Sequence, residues 1–147
     1  RNRYPMRCVQ DRRFGYIFNT WADGERVFRN ESQSGRTFKA MQAAARTDDQ
    51  IAERVKLFQY RVVEEFYDFE NDPDALHNLV DDPQYAGPLN HMRGLLEQYM
   101  KQTGDVALKA FRNRNSPEAL AEFTAEQQAQ AKPPRKKNVR KKQNGRQ

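Results

Sequence analysis

The chain has 147 residues, 37% hydrophobic and 31% charged, which suits one domain with a modest core and excludes a large one. No apolar run approaches the ~18 residues that a spanning helix needs, and the single cysteine, Cys8, excludes an internal disulfide. The net charge of +6 sits at one end: residues 132–147 hold eight of the 26 Lys and Arg and no acid, leaving 18 basic against 20 acidic side chains, about −2, in the rest. The sequence opens on Arg1 with no visible signal peptide, which suggests a processed N-terminus or a piece of something longer.

Met6 to Asp11 and Phe14 to Asn19 are rich in β-branched and aromatic residues and flank Arg12-Arg13, the pattern of a hairpin. Asp23-Gly24, set between the apolar residues of "WADGERVF", predicts a second hairpin turn. Asn30 to Gly35 has the composition of a loop. Phe38, Met41 and Ala45, then Ile51, Val55 and Phe58, recur at helical spacing and predict two helices, the second capped by Asp48 or Asp49.

"FQYRVVEEFYDF", from Phe58 to Phe69, returns to a strand pattern. Alternation puts Glu65, Tyr67 and Phe69 on one face and Glu64, Phe66 and Asp68 on the other, so aromatics on both faces imply a strand covered on both sides, at least in part. Arg61 is close enough to pair with Glu64 or Glu65. Asp72-Pro73 ends the strand, Asn78 is suited to bonding turn backbone, and Leu79 to plugging the gap between strand and helix.

Asp82-Pro83 predicts a helix start, followed by a stripe of Leu89, Met92, Leu96, Tyr99 and Met100; Gly87-Pro88 interrupts the first turn and moves the main helix to Pro88. Gly104 suits the C-terminal cap. Ser116-Pro117-Glu118 opens a last helix anchored by Leu120 and Phe123, and beyond Ala131 the chain is too poor in apolar residues to fold. The expected class is α+β: a small antiparallel sheet packed with a long helix and extra helices, comprising residues 1–105, a helical extension over 106–131, and a disordered basic tail over 132–147.

Catalytic signatures are missing. There is no Gly-rich phosphate loop and no Cys/His cluster with zinc spacing. Cys8 with His77 or His91 would make a nucleophile–base pair, but nothing local activates the thiol, and a small apolar strand residue is the better reading. Asp68, Glu70, Asp72 and Asp74 alternate like a calcium loop without its central Gly and distant Glu, which favours a structural role. No residue is therefore assigned as catalytic or as a metal ligand. The basic tail could recruit a polyanion in a salt-dependent way, which makes a stand-alone polyanion-binding protein the alternative function. It interleaves no aromatics, so nucleic acid is not the expected partner.

"PMRCVQDRRFGYIFN" and "YRVVEEFYDFENDPDALHNLVDDPQYAGPLNHMRGLLEQYMKQTGD" together resemble the C-terminal region of type I sulfatases. The matching positions are Arg7 and Val9, Tyr16 and Ile17, Glu65 to Phe69, Asp72-Pro73, Asn78-Leu79, Asp82-Pro83 and Thr103 to Asp105. The combination of "MRCVQ", "TF", "YR" and "EEFYD" is most similar to the heparan N-sulfatase (N-sulfoglucosamine sulfohydrolase) branch. The chain departs from the pattern in four ways. Phe66 and Phe69 stand where Leu is usual, Gly87-Pro88 interrupts the helix, and residues 106–147 have no counterpart. Cys8 is followed by Val-Gln-Asp, not by the x-Pro-x-Arg of a formylglycine precursor.

The resemblance implies a supporting domain of an enzyme that hydrolyses sulfate esters or sulfamates of glycans, inactive alone. Calcium and formylglycine would belong to a catalytic domain in the same polypeptide or a separate chain, and the location would be periplasmic, secreted or lysosomal. It further implies an apolar face awaiting that partner, and poor stability of the isolated chain. Within such a domain the loop from Trp21 to Arg26 is the candidate contributor to a sulfated-glycan pocket; its competing reading is an ordinary hairpin with Trp21 packed inward.

Overall fold

The structure, a computed structural model, describes residues 3–131. The expectations for residues 132–147, a disordered tail and a polyanion site, lie outside the described residues. Strand β1 (Met6–Gln10) pairs antiparallel with β2 (Phe14–Asn19), placing Arg7 opposite Phe18 and Cys8 opposite Ile17. Strand β3 (Glu64–Asp68) pairs antiparallel with the other edge of β2, placing Phe14 opposite Asp68 and Phe18 opposite Glu64. The order β1-β2-β3 makes β2 the central strand, and the three-stranded antiparallel sheet with five helices is α+β.

The hairpin closes through Asp11. Its Oδ1 accepts the N–H groups of Arg13 at 2.7 Å and Phe14 at 2.6 Å, so the turn's donors are met by a side chain two and three residues back. Helices α1 (Arg36–Ala44) and α2 (Asp49–Tyr60) lie between β2 and β3 in sequence and pack on each other, with the Phe38 and Phe58 rings 5.2 Å apart. Asp48 is the cap of α2, its Oδ1 accepting from Ile51 N at 3.0 Å.

Two local expectations need correction here. Phe58, Gln59 and Tyr60 belong to α2, not to a strand, because β2 offers β3 partners only from Phe14 to Phe18, opposite Asp68 to Glu64. Asp23-Gly24 forms a turn but no hairpin. The segment after it bonds elsewhere: Phe28 N donates to Gln59 O at 2.6 Å, and Tyr4 OH donates to Val27 O at 3.0 Å. Trp21, Phe28 and Tyr4 form one ring cluster with centroid separations of 4.9 to 5.3 Å. The expected loop at Asn30 to Gly35 holds a 3-10 turn over Glu31–Ser34, with Asn30 bonding Gln33 N.

Asp82 caps a short 3-10 turn, Pro83–Tyr85, by accepting from Gln84 N at 2.9 Å, and this turn runs directly into α3 (Ala86–Thr103). The helix thus begins ahead of Pro88; proline is tolerated there because first-turn N–H groups have no partner within the helix. Gly104, at φ 65°, lets Asp105 N return to Met100 O at 2.9 Å and ends the helix. Leu89, Met92, Leu96 and Met100 form the buried stripe, whereas Tyr99 is 63% exposed. One residue is about 100° of helix rotation, which carries Tyr99 off the face that Met100 occupies.

The stripe of α3 meets Tyr16, Phe18 and Phe66 from the sheet. Ala107, α4 (Leu108–Arg112) and α5 (Pro117–Ala129) complete the same core through Ala110, Phe111, Leu120 and Phe123. Phe111 stands edge-on to Tyr16 and Phe18, at 6.3 and 5.2 Å. Residues after 105 therefore share the core of the sheet. On the sheet's other face Phe69 lies over Gly15, so closely that a Cβ there would fall 2.5 Å from the Phe69 Cζ. A larger residue there would have to displace the Phe69 ring.

Candidate functional site

Six of the acids between Glu64 and Asp82 are engaged by their own chain: Glu64, Glu65, Asp68, Glu70, Asp72 and Asp82. Glu64 is forked by Arg93, with Nε and Nη2 each 2.8 Å from a carboxylate oxygen, and also receives the Tyr16 hydroxyl. Arg114 Nε lies 3.1 Å from the same carboxylate, close enough for an ion pair but off the line of a hydrogen bond. Glu65 is fully buried and accepts from Arg61, Tyr67 and Asn19, each at 2.8 Å. Burial, with the Glu65 charge second, pushes the Tyr67 hydroxyl above its usual value. Asn78 closes the corner: its Oδ1 accepts from Phe66 N and Val80 N, and its Nδ2 donates to Glu64 O. Leu79 N donates to Phe66 O at 2.8 Å, and its side chain packs against the core.

Asp68 accepts a fork from Arg13 at 2.8 and 3.1 Å, and further bonds from Asn71 Nδ2 and Glu70 N. It exposes no surface, and burial alone would raise its carboxyl, but the Arg13 bond outweighs that and holds it down at about 2 against 3.8 for a free aspartate. The folded value lies below the unfolded one, so this contribution to stability is complete above about pH 4 and is lost as pH falls through about 2. Arg13→Gln should bring the Asp68 carboxyl back toward 3.8 and flatten the stability profile between those two pH values, read by carboxyl NMR titration and urea unfolding at several pH values.

The calcium-like alternation builds no centre. Asp68 faces Arg13, and Asp72 accepts His77 N at 2.7 Å. Among the described residues no group of three or more His, Cys, Asp or Glu gathers into a metal-holding cluster. Cys8 lies exposed on the edge strand. The protein around its sulfur, and then the Glu65 charge, nevertheless push the thiol up from its usual value, the wrong direction for a nucleophile. His77 Nδ1 sits 3.5 Å from Asp72, and His91 lies on α3 near Asp11; no hydrogen bond joins Cys8 to either.

The Trp21 to Arg26 loop does border a cavity. A cleft of about 380 Å³ lies between residues 20–26 and α5, with Val63 and Arg114 also in its lining. Trp21, Ala22, Val63, Leu120, Ala121 and Ala125 supply its apolar wall. Thr124 Oγ1 donates to Thr20 O at 3.1 Å and ties the two sides together. Ser116 Oγ accepts from Ala119 N and starts α5.

Trp21 is only 1% exposed, so its ring packs inward as the competing reading held, although without the hairpin. Burial would raise the Asp23 carboxyl, but the N–H groups of Arg26 and Glu25, at 2.7 and 3.0 Å, hold it below its usual value and keep it ionised. Arg114 is engaged with Glu64, with Phe111 O at 3.3 Å and with the Phe111 ring. The α5 wall and Arg114 escape sequence reasoning, because only the fold brings residues 114–125 against residues 20–26.

No protein-family model matches the chain, and no curated protein is significantly similar to it. Among the described residues no helix is long and apolar enough to cross a membrane.

Proposed function

We propose that the chain is a non-catalytic C-terminal domain of a sulfatase acting on sulfate esters or sulfamates of glycans, nearest the heparan N-sulfatase branch. The observation that carries this reading is the employment of the acids in the resembling stretch. Glu65 and Asp68 clamp arginines, Asp72 and Asp82 cap turns, and Asp105 takes a fork from Arg7 while accepting Ala107 N at 2.8 Å. These bonds hold a strand–turn–helix corner together and leave those carboxylates tied into the scaffold.

The sheet also presents an edge suited to a neighbour. Among the described residues strand β1 pairs on one side only, and its Met6, Cys8 and Gln10 are exposed. The neighbour would be the catalytic domain, in the same polypeptide or a separate chain, which would bring the formylglycine and calcium; the assembled enzyme would be periplasmic, secreted or lysosomal. The purified chain should release no sulfate from an aryl sulfate or from N-sulfoglucosamine. The reading frame before Arg1 should encode a Cys/Ser-x-Pro-x-Arg segment whose expressed domain is stabilised by adding this chain. Sulfate release by the chain alone, or a catalytic segment indifferent to it, would overturn the proposal.

A further inference from the structure

We infer that the cleft between residues 20–26 and α5 binds a compact organic monoanion, a carboxylate or sulfate ester on a mostly apolar body, with Arg26 as its charge partner. The site is distinct from the supporting role above, since one wall is α5, outside the stretch that resembles sulfatases. Its volume of about 380 Å³ falls where small-ligand sites begin, and its wall is largely apolar with a few polar groups at the rim.

Arg26 marks the ligand's charge. The other half-buried arginines in the described residues all have acceptors: Arg7 has Asp105, Arg54 has Ala75 O, Arg61 has Glu65, and Arg93 and Arg114 share Glu64. Arg26 lines the cleft half-buried, and its side chain has no hydrogen bond among the described residues. Its Nη1 is shut off from solvent in the free protein, so a ligand meets Arg26 through the rest of the guanidinium or after the side chain turns into the cleft. Trp21, nearly fully buried in the same wall, also carries an Nε1–H without an acceptor. Unmet buried donors are costly, and charged ones most of all. Nor do residues 132–147 supply a side-chain carboxylate, for they contain no acid.

Asp23 sets the limit on charge. Its ionised carboxylate lines the same cleft with two arginines, Arg26 and Arg114, so the lining carries one net positive charge: one negative group on a ligand is balanced there and a second is repelled. The apolar wall then favours a body that buries carbon surface over a hydrated one.

Phenyl sulfate and benzoate are suitable probes, and they separate the two sources of negative charge. Each is titrated into the full chain while the methyl NMR signals of Val63, Leu120, Ala121 and Ala125 are followed. These signals should move with at least one probe, and a response to only one identifies the anion. Arg26→Gln should weaken binding about tenfold or more, as loss of a charge-assisted bond does. It should change the melting temperature little, because the side chain makes no hydrogen bond among the described residues and its interaction with Asp23 is the weakest of those that lower that carboxyl. Ala121→Phe should fill the cleft and abolish the shifts. Shifts confined to residues 132–147, no response up to the solubility limit, or equal binding by Arg26→Gln would overturn the inference.

Discussion

Arg61→Met should destabilise the domain by about 3–5 kcal/mol, seen as a large fall in the urea midpoint, because it strands a buried charge. Glu65 has no exposed surface, and among the described residues Arg61 is its only ionic partner, with Tyr67 and Asn19 donating neutral bonds. Arg61 also holds φ at 56° with ψ at −177°, a region almost confined to glycine that costs another residue about 1–3 kcal/mol and persists where its surroundings fix it. Here the ion pair and the bond from Arg61 N to Leu57 O fix it. Adding Glu65→Leu to Arg61→Met should recover much of the loss, since removing both charges avoids the unpaired one. A single-variant loss below about 1 kcal/mol would mean that water reaches Glu65 and that the pair behaves like a surface bridge.

Phe111→Ala should cost about 3–5 kcal/mol, as deletion of a buried aromatic does. The ring is 1% exposed and joins α4 to the central strand through Tyr16 and Phe18, while the Arg114 guanidinium covers it at 5.2 Å. Domains of this size are stable by about 5–15 kcal/mol, so the variant should be partly unfolded or sharply less heat-resistant by circular dichroism. Tyr99→Ala, at an exposed position on α3, should stay within about 0.5 kcal/mol. Near-equal losses for the two variants would show that residues after 105 are dispensable to the core.

Local chemistry was the legible part of this chain. Asp48, Asp82, Gly104 and Ser116 each end or start a helix through bonds within a few residues, so their roles are visible in sequence. The two covered faces of β3 and the pairing of Arg61 with Glu64 or Glu65 were legible for the same reason, whereas Asn78 makes one local bond, to Val80 N, and two that reach back to Phe66 and Glu64 on the strand. Distance in sequence hid the rest. Arg13 finds Asp68 and Arg93 finds Glu64 only once the sheet and α3 assemble. Phe58 to Tyr60 look like strand until β2 is seen to have no partners left for them. The Trp21 to Arg26 loop could be singled out from its aromatic and charges, but the cleft needs α5 for its other wall.

The long interval between β2 and its last partners has a consequence during synthesis. The hairpin of β1 and β2 is local and can form as soon as it leaves the ribosome, whereas β3, α3 and Phe111 emerge much later. Until then Tyr16 and Phe18 face outward on a sheet with two open edges, the kind of surface that invites chaperone binding or premature aggregation. Slowing translation after Asn19 should therefore lower the soluble yield.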